Sequence, residues 1–248
     1  MNNDKVSIIT PFYNSYDYFI DTFKSVVDQT YIDFEWIIVD NGSDDLEVKK
    51  LRLLVESDDR IRLIEIDYNC GAGMARNAAL DVLCGRFVTF IDSDDMWDPD
   101  FLETMVSQVK SASVNVVYGG YRRLYPSGNE EEFLPARFNT VHNILRGCDI
   151  SCLATLIDTN GQPIMARFGS IRARNDLVFY HVLLATEAAY PVPVIKSTYR
   201  LRGDSLSTDK LGMLKYQWTV NRVDAKKGVF LSIFNCVIWG LRGFAKYR

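Results

Sequence analysis

Asp92-Ser93-Asp94-Asp95 puts three carboxylates within four residues, directly after the apolar run Phe87-Val88-Thr89-Phe90-Ile91. Like charges at that spacing repel one another unless something positive compensates them. A divalent cation does so, and an all-oxygen donor set suits magnesium or manganese. Such a cation can in turn hold a diphosphate and neutralise a leaving nucleotide. The same string would also suit a solvated acidic turn ahead of a capped helix. Its position at the end of a buried strand favours the metal site.

Other residues could share that chemistry. Asp40 follows the run Trp36-Ile37-Ile38-Val39 and could accept a hydrogen bond from a base edge or a ribose hydroxyl, although Asp40-Asn41-Gly42-Ser43 is equally a string of turn formers. Gly71-Ala72-Gly73-Met74-Ala75-Arg76-Asn77 opens a helical pattern but lacks the third glycine of a dinucleotide fingerprint. Arg76, one turn into that pattern, could reach a phosphate or the aspartates. Asn175-Asp176 stands at the start of another helical pattern. There a carboxylate is kept ionised by the helix dipole, as a general base requires, but a plain helix cap has the same look.

The elements that must position these groups alternate. Apolar runs at 6–9, 36–39, 62–66 and 87–91 read as buried strands, and periodic patterns at 17–29, 46–55, 73–83 and from Asp98-Pro99 onward read as helices. Repeated β–α units with continuous apolar strands imply a parallel sheet covered on both faces. Ligands bind such sheets at the carboxyl ends of the strands, which puts 11–14, 40–44 and 92–95 on one rim. The second half is less regular. It predicts a hairpin over 121–133 turning at Pro126-Ser127-Gly128-Asn129, strands at 152–158 and 194–199, and a helix at 175–185.

Composition sets outer limits. With 248 residues, 48% hydrophobic and 24% charged, the chain can bury a substantial core. A formal net charge of −4 weighs against nucleic acid as a partner. The stretch 210–248 departs from that average, with eight basic residues and one acid, Asp224. Within it Phe230, Ile233, Phe234, Val237, Leu241 and Phe244 share one helical face, opposite Ser232, Asn235, Trp239 and Arg242. This pattern suits an amphipathic helix on an anionic membrane, or a terminal helix docked on the core. The five cysteines form no CxxC pair, and an odd number without framework spacing fits a reducing compartment. Residues 1–14 lack a signal-peptide pattern, and no run approaches the roughly 20 apolar residues of a membrane span.

Three stretches carry a family resemblance. VSIITPFYNSYDYFIDTFKSVVDQTYIDFEWIIVDNGSDD closely resembles the opening of inverting family 2 glycosyltransferases, and GAGMARNAAL and FVTFIDSDDMWDPDFLE resemble that family's next signatures, in order and spacing. Asn175-Asp176 resembles its Glu-Asp base motif, and the segment 199–207 its closing donor-site segment. The resemblance spans 5–207. It implies an α/β GT-A fold, Rossmann-like, with a mostly parallel sheet flanked by helices. The expected division is a glycosyltransferase domain over 1–207 (nucleotide-sugar half 1–120, acceptor half 121–207), then a basic amphipathic helical extension over 208–248.

Residue by residue, the resemblance implies that Pro11, Tyr13 and Asp40 frame uridine, with Asp40 on the base. Arg76 then lies near the base and diphosphate, Asp92, Ser93 and Asp94 form the DxD segment, and Asp92 and Asp94 bind Mn2+ or Mg2+. Asp176 is the catalytic base. Two departures stand out. Asn175 replaces the motif's glutamate, so only Asp176 can be the base, and Arg202 stands where a histidine is common. A guanidinium is no metal ligand, so Arg202 is expected on the diphosphate. The implied reaction is transfer of a hexose, glucose or galactose, from a UDP-sugar to a sugar on polyprenyl diphosphate with a β-linkage, as in O-antigen or capsule assembly. The implied location is the cytoplasmic face of a bacterial membrane, held peripherally through the tail. A sugar-nucleotidyltransferase would be expected to carry a basic glycine-rich loop after the first strand, where this chain has Thr10-Pro11-Phe12-Tyr13-Asn14. A non-catalytic sugar-nucleotide-binding protein would be expected to lack Asp176.

Overall fold

A computed structural model describes residues 4–135, 138–160, 162, 164–202 and 210–246 of the chain. The first half runs β1 (Val6–Phe12), α1 (Tyr16–Val27), β2 (Phe34–Asn41), α2 (Asp45–Val55), β3 (Ile61–Ile66), α3 (Ala72–Leu80) and β4 (Phe87–Phe90). Then follow β5 (Met96–Trp97), α4 (Phe101–Ala112), β6 (Val116–Leu124), β7 (Glu130–Phe133), β8 (Thr155–Asp158), α5 (Asn175–Leu183), β9 (Tyr190–Arg200), α6 (Lys210–Thr219) and α7 (Val229–Lys246). Every residue of β1 and β4 is buried, as expected of strands covered on both faces.

One sheet runs through both halves in the order β3-β2-β1-β4-β8-β6-β9-β5, with β7 on β6. The β3-β2-β1-β4 portion is parallel. β8 enters antiparallel to β4 and β6, while β9 runs parallel to β6. Alternate side chains feed two cores. Ile8, Trp36 and Ile38 pack with α1 and α4 on one face, and Ile9, Ile37, Val39 and Phe90 pack with α3 and α5 on the other. The buried indole of Trp36 keeps its hydrogen bond, donating to Thr10 Oγ1 at 2.9 Å.

Several boundaries differ from the sequence expectation. The helix expected from Asp98 begins at Phe101, because Asp98 is held by Arg122 in a salt bridge and its carbonyl accepts from Gln29 Nε2. The expected strand over 152–158 opens with a 3-10 turn, Cys152–Ala154, before β8. The two-residue β5 was not legible, being defined only by pairing with Ser197 and Thr198 of β9. The expected boundary at 207/208 and residues 203–207 of the closing segment 199–207 lie outside the described residues.

The extension docks with its polarity reversed. Ser232 and Asn235 are buried, whereas Phe230, Ile233, Val237 and Leu241 are exposed, Phe230 at 89%. Asn235 Nδ2 donates to Asn221 Oδ1 at 2.7 Å, and Asn235 Oδ1 accepts from Arg146 Nε at 3.1 Å. The polar side of α7 therefore faces the protein, and much of its apolar side faces outward. Among the described residues no helix is long and apolar enough to cross a membrane.

Candidate active site

The ends of β2, β1 and β4 are neighbours in the sheet, so Asp40, the segment 11–14 and the segment 92–95 share one rim. Two of these loops are sewn together. Asn14 donates its backbone N–H to Ser43 Oγ at 3.0 Å and accepts from the Asp44 N–H at 2.9 Å. Gly42 lies at φ +77, and a Cβ there would sit 2.5 Å from the Tyr68 carbonyl carbon, so the loop after β2 presses on the one after β3 in a way a side chain would prevent. Pro11 is buried in β1 and Tyr13, just beyond, is 47% exposed.

Asp40 is 3% exposed. Its Oδ2 accepts from the Ser43 N–H at 3.4 Å, while Oδ1 is buried without a hydrogen-bond partner. Burial raises its pKa above the ordinary carboxylate value, against hydrogen bonds from Ser43 and Gly42.

The turn after β4 is pinned from two sides. Ser15, at the N-cap position of α1, makes no capping bond with its side chain and instead donates its hydroxyl to Ser93 Oγ at 2.7 Å. Thr22 Oγ1 donates to the Asp95 carbonyl at 2.7 Å, and the Asp95 carboxylate accepts the Arg200 N–H at 3.0 Å. Asp95 is 1% exposed, and burial, followed by the charges of Asp94 and Asp92, raises its pKa well above the usual range. Of the three carboxylates, Asp95 therefore faces inward and anchors the turn, which leaves Asp92 and Asp94 for a ligand.

Each of those two meets an arginine. Arg202 donates to Asp94 Oδ2 at 3.2 Å and lies over the ring of Tyr18, 4.9 Å from its centroid. Burial and the neighbouring Asp92 still raise the Asp94 pKa, so Arg202 only partly offsets those two effects. Arg76, 5% exposed, donates to Asp92 Oδ1 and, at 3.4 Å, to Asn175 Oδ1, with its guanidinium 5.1 Å from the Phe168 ring centroid. Burial opposes its charge, but Asp92, Cys152 and Asp176 outweigh that and raise its pKa. Burial and the charge of Asp176 also push the thiols of Cys148 and Cys152 up to about 12, which leaves them protonated and unreactive at neutral pH.

Asn175, buried at the first position of α5, is thus the hydrogen-bond acceptor that the second half brings to Arg76, beside the Phe168 ring. Gly73 permits that approach, since a Cβ there would lie 2.6 Å from the Gly169 carbonyl and 3.0 Å from Asn175 Cβ. Arg174, just before, holds a left-handed φ of 63°, a conformation that costs a non-glycine residue about 1 kcal/mol or more. The structure thereby joins Arg76, Asp92 and the Asn175-Asp176 turn on one side and Asp94, Arg202 and Tyr18 on the other, while Asp40 stands apart at the end of β2. Ser15, Tyr18, Arg200 and Arg174 were not singled out from the sequence. Tyr18, an aromatic beside Asp17 on the polar side of α1, was the one legible hint; the others are defined by contacts distant in the chain.

The sequence model for Glycosyl transferase family 2 matches residues 7–153. The chain belongs to glycosyl transferase family 2. TuaG, a glycosyltransferase named for teichuronic acid biosynthesis in Bacillus subtilis (strain 168), is 36% identical over 220 residues, covering 88% of this chain and 87% of TuaG. WfgD of Escherichia coli, named as a UDP-Glc:α-D-GlcNAc-diphosphoundecaprenol β-1,3-glucosyltransferase, is 32% identical over 222 residues, covering 89% and 86%. Among solved structures, S. aureus TarS 1–349 in complex with UDP-GlcNAc superimposes with a TM-score of 0.67 at 18% identity, covering 97% of this chain and 73% of that one. The fold of this family 2 enzyme is accordingly GT-A: an α/β sheet with flanking helices and a C-terminal helical extension.

Among the described residues of this family 2 enzyme, no three His, Cys, Asp or Glu side chains form a ready metal cage. The carboxylates of Asp92 and Asp94, both partly exposed on the rim, do fit a hard divalent cation that completes its shell with water and substrate phosphate. Substituting Gly73→Ala should push the 169–175 segment off α3 and cost about 1–3 kcal/mol of stability, the usual range for overpacking. Urea denaturation measures it, and an unchanged midpoint would show that the close approach is dispensable.

Proposed function

We propose that this enzyme transfers a hexose, glucose or galactose, from a UDP-sugar to a sugar carried on polyprenyl diphosphate, forming a β-linkage in O-antigen or capsular polysaccharide assembly. The buried, unpartnered Oδ1 of Asp40 is the observation that carries the donor assignment. A buried acceptor without a donor is costly, and the N–H of a uracil ring would satisfy it. Support for the acceptor comes from WfgD and WfaP of Escherichia coli, both named for glucosyl transfer to GlcNAc-diphosphoundecaprenol; WfaP is 30% identical over 223 residues.

The remaining roles follow from charge. Pro11 and Tyr13 border the nucleoside beside Asp40. Asp92 and Asp94 would hold Mn2+ or Mg2+, which when bound neutralises charge on the diphosphate. Arg202 and Arg76 bring positive charge to the leaving group from the protein itself. Asp176 accepts the proton of the acceptor hydroxyl as that oxygen attacks the anomeric carbon. Attack from the face opposite UDP inverts the centre, so an α-linked donor gives a β-linked product. The outward apolar strip of α7, with Lys226 and Arg242 exposed near its ends, would rest on the anionic cytoplasmic face of the membrane where such an acceptor resides.

Three outcomes test the reading. Asp176→Asn should lower kcat by about 10²–10⁴-fold while UDP affinity by calorimetry holds, and normal transfer would remove Asp176 from the role. Uracil needs the ionised Asp40 acceptor, so uridine affinity should fall as pH drops through the Asp40 pKa. Burial places that midpoint above the ordinary value of about 3.9. The same profile in Asp40→Asn would show that Asp40 does not meet the base. Replacing Phe230, Ile233 and Val237 together with serine should abolish co-sedimentation with phosphatidylglycerol vesicles without lowering the melting temperature; retained binding would sink the membrane contact.

A further inference from the structure

The turn that carries Asp176 is gripped from two directions. From the donor side, Arg76 holds Asn175. From the other side the grip comes from the C-terminal extension. The guanidinium of Arg174 lies over the indole of Trp239 in α7, 5.2 Å from its ring centroid, and donates to Gln217 Oε1 in α6. Gln217 is fully buried, and its Nε2 donates to the Leu145 carbonyl at 2.7 Å. Its own carbonyl accepts from Asn221 Nδ2 at 2.8 Å, and Asn221 Oδ1 accepts from Asn235 of α7. Arg174 is thus rooted in a buried polar network that belongs largely to α6, α7 and the π-helical turn Val220–Asp224 between them.

Arg174 also has the left-handed backbone that sets the direction of the turn into α5, and its carbonyl accepts the Leu177 N–H at 3.2 Å. Strained backbone of this kind persists where the surroundings over-determine it, and it gathers at functional sites. The only residues between this anchor and the Leu177 N–H are Asn175 and Asp176. Asn175 is fixed by Arg76, so Asp176 sits in a short arch pinned at both ends.

We propose that Arg174 is a positioning residue for Asp176, and that α6 and α7 form part of the catalytic assembly because Gln217 and Trp239 hold Arg174 in place. The proposal rests on the reading of Asp176 as the base. Arg174 itself touches neither Asp40 nor the 92–95 turn, and Arg76 keeps its salt bridge to Asp92 when the clamp is released, so the loss should fall on the chemical step and spare donor binding. Displacement of a catalytic group by about 1 Å through a distant substitution can cost about 100-fold in rate.

The test compares Trp239→Ala, Trp239→Phe and Arg174→Gly in the full-length protein. Each is assayed with UDP-glucose and a synthetic GlcNAc-α-diphosphate-lipid, and each is followed by hydrogen exchange at the amides of 174–177. Trp239→Ala should lower kcat by about 10- to 100-fold with the donor KM within about two-fold of wild type. Exchange across 174–177 should rise by about tenfold. Trp239→Phe keeps an aromatic face for the guanidinium and should restore both readouts. Arg174→Gly relieves the left-handed backbone yet removes the guanidinium, so it should fold normally and show the same loss of kcat. A Trp239→Ala protein with wild-type exchange at 174–177, or an Arg174→Gly protein with wild-type kcat, would overturn the clamp. Loss of UDP affinity in step with kcat would also overturn it, by showing general damage. Wild-type transfer by Asp176→Asn would instead overturn the base reading, so the two failures are told apart.

Discussion

A guanidinium taken out of water needs acceptors, and Arg76 finds them for its two terminal nitrogens in parts of the chain that are far apart in sequence, while its Nε has none. Asp92 comes from the turn after β4, Asn175 from the start of α5, and the Phe168 ring covers one side. Removing any one of these would leave a buried charge short of partners, which is among the costlier defects a folded protein can carry. Arg76 therefore constrains the turn after β4 and the turn before α5 together. A glycine at position 73 is needed for the second of these to come close enough.

The same logic explains why the carboxylate cluster is tolerated. Each acid has a different answer to its own charge. Asp95 is buried against the backbone of β9, Asp92 meets Arg76 and Asp94 meets Arg202. The answers differ in depth: Asp95 is buried, whereas Asp92 and Asp94 keep part of their surface on the rim, where a hard cation could reach them.

Much of this was legible in the sequence, and the reason is geometric. In a parallel sheet the functional side chains sit where apolar runs stop, so the ends of the runs at 36–39 and 87–91 pointed to Asp40 and to the 92–95 turn. What could not be read were partnerships fixed only by folding. Asp95 is indistinguishable from Asp92 and Asp94 in the string, and only the Arg200 N–H assigns it inward. β5 is two residues long and is defined by its partner rather than its own pattern. The periodicity of α7 was plain, but it suits equally an apolar side laid on a membrane and one turned into the core. Asn221 and Arg146 draw the polar side inward by bonding Asn235, and neither has a periodic signature.

The reversed helix has an evolutionary consequence. In an ordinary amphipathic helix the residues that build the fold and the residues that could meet a surface compete for the same apolar face. In α7 the two tasks are on opposite sides: Ser232 and Asn235 belong to the protein, while Phe230, Ile233, Val237 and Leu241 are largely uncovered. Drift at the uncovered positions leaves the inward contacts undisturbed, so the outer surface of this helix and its seating on the protein can change independently.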